Sequence, residues 1–233
     1  MQQNDAKVDI VKPPSPKAVA EEVAAILRDR IVKGELAPLD RIVERRLSAE
    51  LNVSRTPIRE ALKLLESDEL ITISLHRGAH VLEYLPQDAE ALFDVIAVLE
   101  GFAARRLAEV ITPQTLQRLE DLHGKMLECY RLEAATDYFD INTVIHDIIV
   151  DQCGNPVLTA NHRRLIARAR RGRYLAIVNP DRLAQAVAEH EAIMQAFRLG
   201  DPDAAAAVWE THLRHTGEAV ADVLRAKQTT LKR

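Results

Sequence analysis

Apolar residues fall into helical stripes along most of the chain, interrupted once by two short alternating runs. Val19, Val23, Ile26, Leu27 and Ile31 recur at intervals of three and four, which predicts a first helix over 17–33 that stops at Gly34. Leu36 to Arg41, with Pro38, reads as a connector, and a short helix over 43–51 follows, with Leu47 and Leu51 facing inward. Asn52 and Val53 make a tight turn into Ser54-Arg55-Thr56-Pro57-Ile58-Arg59-Glu60-Ala61-Leu62. There Ile58, Ala61, Leu62 and Leu65 repeat at i, i+3, i+4 and i+7, giving one buried side, while Ser54 suits an N-cap and Pro57 is tolerable because it lies in the first turn. Beyond Leu70, Ile71-Thr72-Ile73 and Ala79-His80-Val81 form β-prone runs, a hairpin with Arg77-Gly78 at or near its tip.

From Leu85-Pro86-Gln87 onward the pattern is helix after helix. Thr112-Pro113, Asn155-Pro156 and Asp201-Pro202 each place a capping residue before a proline at the first helical position, and Gly154 and Gly200 mark the stops that precede two of them. Five or six helices are expected, at about 87–109, 113–136, 138–153, 156–178, 181–199 and 202–227. The fold class is therefore mainly α: an N-terminal winged helix-turn-helix of three helices and a small β-hairpin wing, then an all-α antiparallel helical bundle. The expected division is a mobile arm over 1–16, a winged helix-turn-helix unit over 17–84, and an all-helical unit over 85–233.

Composition narrows the functional classes. Aromatic residues make up only 4% of the 233, and no apolar run approaches the roughly 20 residues of a membrane helix, so a cytoplasmic protein with no membrane partner is expected. Cys129 and Cys153 have no metal or redox spacing. The net charge of −4 argues against a generally basic nucleic-acid coat, yet Arg41, Arg45, Arg46, Arg55, Arg59 and Lys63 crowd a stretch with three acids. Arg55, Thr56 and Arg59 lie off the buried side, near the positive end of their helix, where phosphates and base edges are met. An ordinary solvated helix would carry the same arginines; the preceding helix and the wing favour DNA.

The histidines of the bundle suggest a second site. Asn142 and His146, four apart, share one helix face, and His190 and His212 lie at similar depth on either side of the Gly200-Asp201 turn. Three imidazoles and an amide can thus converge on a first-row divalent transition metal, Zn²⁺ before others; separate core histidines are the plainer alternative. Arg164, Arg168 and Arg171 share one face of a helix holding six arginines, and one of them pointing inward would bind an effector carboxylate.

The order Leu27-Arg28, Ile31, Gly34, Leu36, Pro38, Glu44, Leu47, Val53 to Leu62, Leu65 and Arg77-Gly78-Ala79 resembles the winged-helix domain of GntR family transcription regulators. Two departures stand in connectors: Leu39-Asp40 where the family usually has glycine after the proline, and Glu69 where it usually has glycine before the leucine. Residues 87–222 resemble the all-helical effector domain of the FadR-type branch, an FCD domain with a VanR-like bundle, with Asn142 in place of the usual Asp and Ala97 where an Arg often stands. The resemblance implies DNA contacts from Arg45, Ser54, Arg55, Thr56, Arg59, Arg77 and Gly78, and metal ligands Asn142, His146, His190 and His212. It implies a homodimeric, ligand-responsive repressor, not an enzyme, that binds a near-palindromic double-stranded operator and senses a small organic acid. A helical-bundle metalloenzyme with a DNA-binding appendage, or a metal-free regulator whose histidines hold the effector, are the alternatives.

Overall fold

A computed structural model describes residues 16–231. The arm expected over 1–16 lies outside the described residues, apart from Pro16, which opens α1 (Pro16–Val32). There follow β1 (Arg41–Ile42), α2 (Glu44–Glu50), α3 (Arg55–Ser67), β2 (Ile71–Ser74) and β3 (Gly78–Val81). Three antiparallel strands lie in the order β1-β3-β2, with Ile71 opposite Val81, Ser74 opposite Gly78, and Ile42 opposite Ala79. The wing is thus a hairpin as expected, but with a third strand where the segment read as connector ends, at Arg41 and Ile42; two residues are too few for periodicity to reveal. Leu27, Ile31, Leu47, Ile58, Leu65 and Ile71 fill the core between the helices and the sheet.

Local chemistry sets the turns. Asn52 takes a φ of 52° between α2 and α3, a left-handed conformation that asparagine tolerates. The two departures from family glycines also fall in left-handed backbone: Leu39 at φ 70° and Glu69 at φ 54°, a strain of about 1 kcal/mol each. Ser54 occupies the N-cap of α3 but its side chain makes no cap bond, contrary to expectation. The reason is Pro57, which sits at the third helical position and removes one of the two N–H groups such a cap would engage.

Among the described residues six helices form the bundle: α4 (Pro86–Val110), α5 (Pro113–Arg131), α6 (Ala135–Asp151), α7 (Pro156–Ile177), α8 (Pro180–Leu199) and α9 (Pro202–Leu231). Thr112 and Asn155 accept cap bonds as their sequence suggests, and Asn179-Pro180 starts α8 by the same device. The break expected near residue 137 comes earlier, at Leu132 to Ala134, where Glu133 adopts φ 55°. Helices α4 and α9 pack along much of their length. Phe93 of α4 reaches into notches left by Gly172 of α7 and Gly217 of α9, where an added Cβ would come within 2.5 and 2.6 Å of its side chain.

The two halves share one helix. Ala167 of α7 is buried in the core of the winged half. Arg168 forms an ion pair with Glu69, Arg171 donates to the Leu82 carbonyl at 2.9 Å, and Arg28 of α1 pairs with Asp68 at the start of the loop beneath them.

Candidate nucleic-acid interface and metal centre

On the winged half, Arg45, Ser54, Arg55, Thr56, Arg59 and Arg77 are all exposed. Gly78 opens β3 with φ 77° directly after the wing turn. Arg59 is held by Glu44 across the two helices, Nε to Oε2 at 2.9 Å, which steers the guanidinium while leaving its Nη groups outward. No pairing among the described residues engages Arg45, Arg55 or Arg77.

Inside the bundle, α6, α8 and α9 bring together His146, His190 and His212, all buried, with ligand nitrogens within 4.8 Å of one another. Asn142, one turn before His146, is buried beside them, and its Oδ1 has no hydrogen-bond partner. Neither has His146 Nε2, nor either nitrogen of His190. Buried polar atoms are rarely left so, because each forfeits its hydration without replacement. Trp209 forms one wall, stacked 4.8 Å from His212 and tilted against His146 at 4.5 Å.

Carboxylates on neighbouring helices orient the rings. Glu100 of α4, wholly buried, accepts from His146 Nδ1 at 2.5 Å, His162 Nε2 at 2.8 Å and Trp209 Nε1 at 3.2 Å. Glu189 of α8 accepts from His212 Nδ1 at 2.7 Å and His215 Nδ1 at 2.6 Å. On His146 and His212 these bonds fix the proton on Nδ1 and leave Nε2 a lone-pair donor, the arrangement in which imidazoles bind metals. Burial, with the Arg173 charge beside it, pushes the His146 ring down to about 3. Burial lowers His190 and His212 as well, so all three are neutral at pH 7. Burial pushes Glu100 up, but the contacts to His146 and His162 outweigh it and hold the carboxyl well below its usual range. Glu189 is likewise held down, at about 2, by His212, His215 and Arg182 against its own burial. This donor set of neutral nitrogens and an amide oxygen fits a borderline transition ion.

The inward arginine is not one of the three expected. Arg164 is exposed, Arg168 turns to Glu69, and Arg171 reaches Leu82 and lies over the Tyr84 ring at 5.8 Å. Arg168 and Arg171 thus grip the winged half instead of the cavity, and Arg164 stands on the surface. Arg173, two residues on, points into the bundle, 2% exposed, with Arg182 of α8 at 4%. Both line a narrow cavity together with Tyr138, Asn142, His212 and Thr216. Arg173 was legible in principle: Ala169, Ala176 and Ile177, at i−4, i+3 and i+4, are buried, so it stands inside the apolar stripe of α7.

A family model described as "FCD domain" matches residues 91–215, and one described as "Bacterial regulatory proteins, gntR family" matches 19–81. The chain belongs to the GntR family of transcriptional regulators. This GntR-family protein is 27% identical over 206 residues to the HTH-type transcriptional repressor RspR of Escherichia coli, covering 88% of this chain and 90% of that one. It is 31% identical over 128 residues to the gluconate operon transcriptional repressor of Bacillus licheniformis, covering 55% and 52%. Escherichia coli McbR/YncC has the same fold, with TM-score 0.73 at 20% identity over 92% of this chain and 97% of that one. A putative GntR transcriptional regulator from Rhodococcus sp. RHA1 aligns with TM-score 0.72 at 25% identity, over 89% and 98%. These relatives are regulators, not enzymes, which sets the metalloenzyme alternative aside. The engagement of Glu189 by two imidazoles and Arg182, and of Asp147 by Arg170, likewise leaves neither carboxylate free as a general base. No helix among the described residues is long and apolar enough to cross a membrane.

Proposed function

We propose that this GntR-family regulator is a homodimeric repressor whose bundle holds a divalent transition metal, zinc first among candidates, and responds to a small organic acid. The observation that carries the metal is the set of buried, unpartnered donor atoms on Asn142, His146 and His190 beside His212. When bound, the metal would supply a positive centre for an acid group of the effector. The protein's own part is to hold the ligands by Glu100 and Glu189 and to offer the Arg173 guanidinium to that acid. Protein purified without chelators is expected to carry close to one equivalent of metal by elemental analysis. Dialysis against a chelator is expected to lower its melting temperature, and added Zn²⁺ to restore it. A metal-free protein indifferent to zinc would favour imidazoles binding the effector directly.

The DNA reading rests on the exposed, unpaired Arg45, Arg55 and Arg77 around the start of α3 and the wing, with Ser54, Thr56, Arg59 and Gly78 between them. Arg55→Ala is expected to cost about 1–3 kcal/mol at one base position of an operator from the protein's own promoter region, read by gel shift on single-base variants. A uniform loss across all variants would make Arg55 a phosphate contact.

The homodimer is supported by the outer face of α4, where Val95, Val98 and Phe102, three and four apart, are 50%, 55% and 43% exposed. Phe102→Glu is expected to shift the protein from dimer to monomer in sedimentation and to weaken binding to a two-half-site operator more than to a single half-site. An unchanged mass would remove α4 from the interface.

A further inference from the structure

We infer that the effector carries two acid groups, one held by Arg173 and the second by Arg182; the inference rests on the organic-acid reading above. Arg173 has no hydrogen-bond partner on Nε, Nη1 or Nη2. Its nearest carboxylate, Glu100 at 3.9 Å, is already taken by two imidazoles and an indole. Arg182 uses only Nη2, on Glu189 at 2.9 Å and on the His212 carbonyl and Thr216 Oγ1 at 2.8 Å each, while Nε and Nη1 have no partner. Both guanidiniums line the one cavity that also contains Asn142 and His212. A carboxylate satisfies a guanidinium by a planar pair of bonds, so one acid group cannot satisfy two guanidiniums on different helices equally well.

Charge leads to the same answer. Glu100 and Glu189 offset the charges of Arg173 and Arg182. A divalent ion therefore leaves two positive charges beside a cavity lined by Tyr138, Ala176, Ile177 and Ala186. A dianion cancels both, whereas a monoanion leaves one uncompensated where burial makes it costly. Sequence reasoning assigned Arg182 no role, since a lone arginine in the first turn of a helix looks like surface.

The test uses the full chain loaded with Zn²⁺, titrated by calorimetry with malonate, succinate and glutarate. Acetate, the monoamide succinamate and inorganic phosphate serve as comparison probes. At least one diacid is expected to bind about tenfold or more tightly than its singly charged counterpart. Arg182→Gln is expected to bring that ratio close to one while leaving succinamate nearly unchanged, and Arg173→Gln to weaken both. Arg182→Lys, which keeps the charge, should retain part of the preference and guards against loss by misfolding. Equal binding of diacid and monoamide by the unaltered protein would overturn the inference, as would tighter binding of phosphate than of any diacid. If no acid of either kind binds, the organic-acid reading itself falls, and this inference with it.

Discussion

Glu100→Ala is expected to lower the stability of the protein by about 3–5 kcal/mol, the scale seen when one member of a buried charged network is removed. Three donors from three helices, His146 on α6, His162 on α7 and Trp209 on α9, end on this one carboxylate of α4. Its loss leaves the buried Arg173 without its nearest counter-charge as well. Because Glu100 also fixes the His146 tautomer, zinc affinity should fall about 10- to 100-fold. Glu100→Gln, which keeps an acceptor oxygen and nearly the same volume, should lie between. Urea unfolding and a zinc competition titration read the two effects separately. A loss below about 1 kcal/mol with unchanged zinc affinity would mean that Glu100 is a bystander.

Acid is expected to unfold the metal-free protein well above the range where carboxylates titrate. Folding lowers the pKa of His146 to about 3 and lowers those of His190 and His212, whereas in the unfolded chain all three take up protons near 6.5. Above that value there is no difference in protonation. As the pH falls below it, only the unfolded state binds the protons, so stability declines, by up to about 1.4 kcal/mol per pH unit for each histidine. Glu189 adds to the loss below its ordinary value of 4.5, since folding holds it at about 2. Urea midpoints in the presence of chelator should therefore fall steadily from pH 6.5 to 5, and His146→Gln should flatten the curve. A constant midpoint over that interval would show that the imidazoles are hydrated or charged in the fold.

The order of elements could be read from the chain because its punctuation is local. Asn155-Pro156 and Thr112-Pro113 cap helices by bonds within three residues, and the Ile58, Ala61, Leu62, Leu65 stripe fixes which side of α3 is buried. The convergence of His146, His190 and His212 was legible for a related reason: a short turn at Gly200 sets the relative depth of α8 and α9. The carboxylates behind them were not. Glu189 turns from His190 as its adjacency dictates, yet the neighbouring helix places His212 on that same side. Glu100 is a single acid in the middle of α4, and only packing against three helices shows what it serves. The arginine-rich stretch of α7 misled because periodicity gives faces without saying which face meets which neighbour. Arg164, Arg168 and Arg171 form a coherent row, but the winged half lies on that side, and the cavity receives Arg173.

The position of α7 bears on how such a protein can be rebuilt. Ala167 is core to the winged half, while Arg173, fewer than two turns away, is core to the bundle. A chimera joined in the connector before α4 would bring in a foreign winged half facing a helix cut to fit this one. Glu69, which occupies a backbone conformation better suited to glycine, is the matching part for Arg168. Exchange of reading heads between regulators of this kind should therefore succeed only when position 69 and the Ala167–Arg171 face travel together, which makes the α7 surface, and not the linker, the true seam of the molecule.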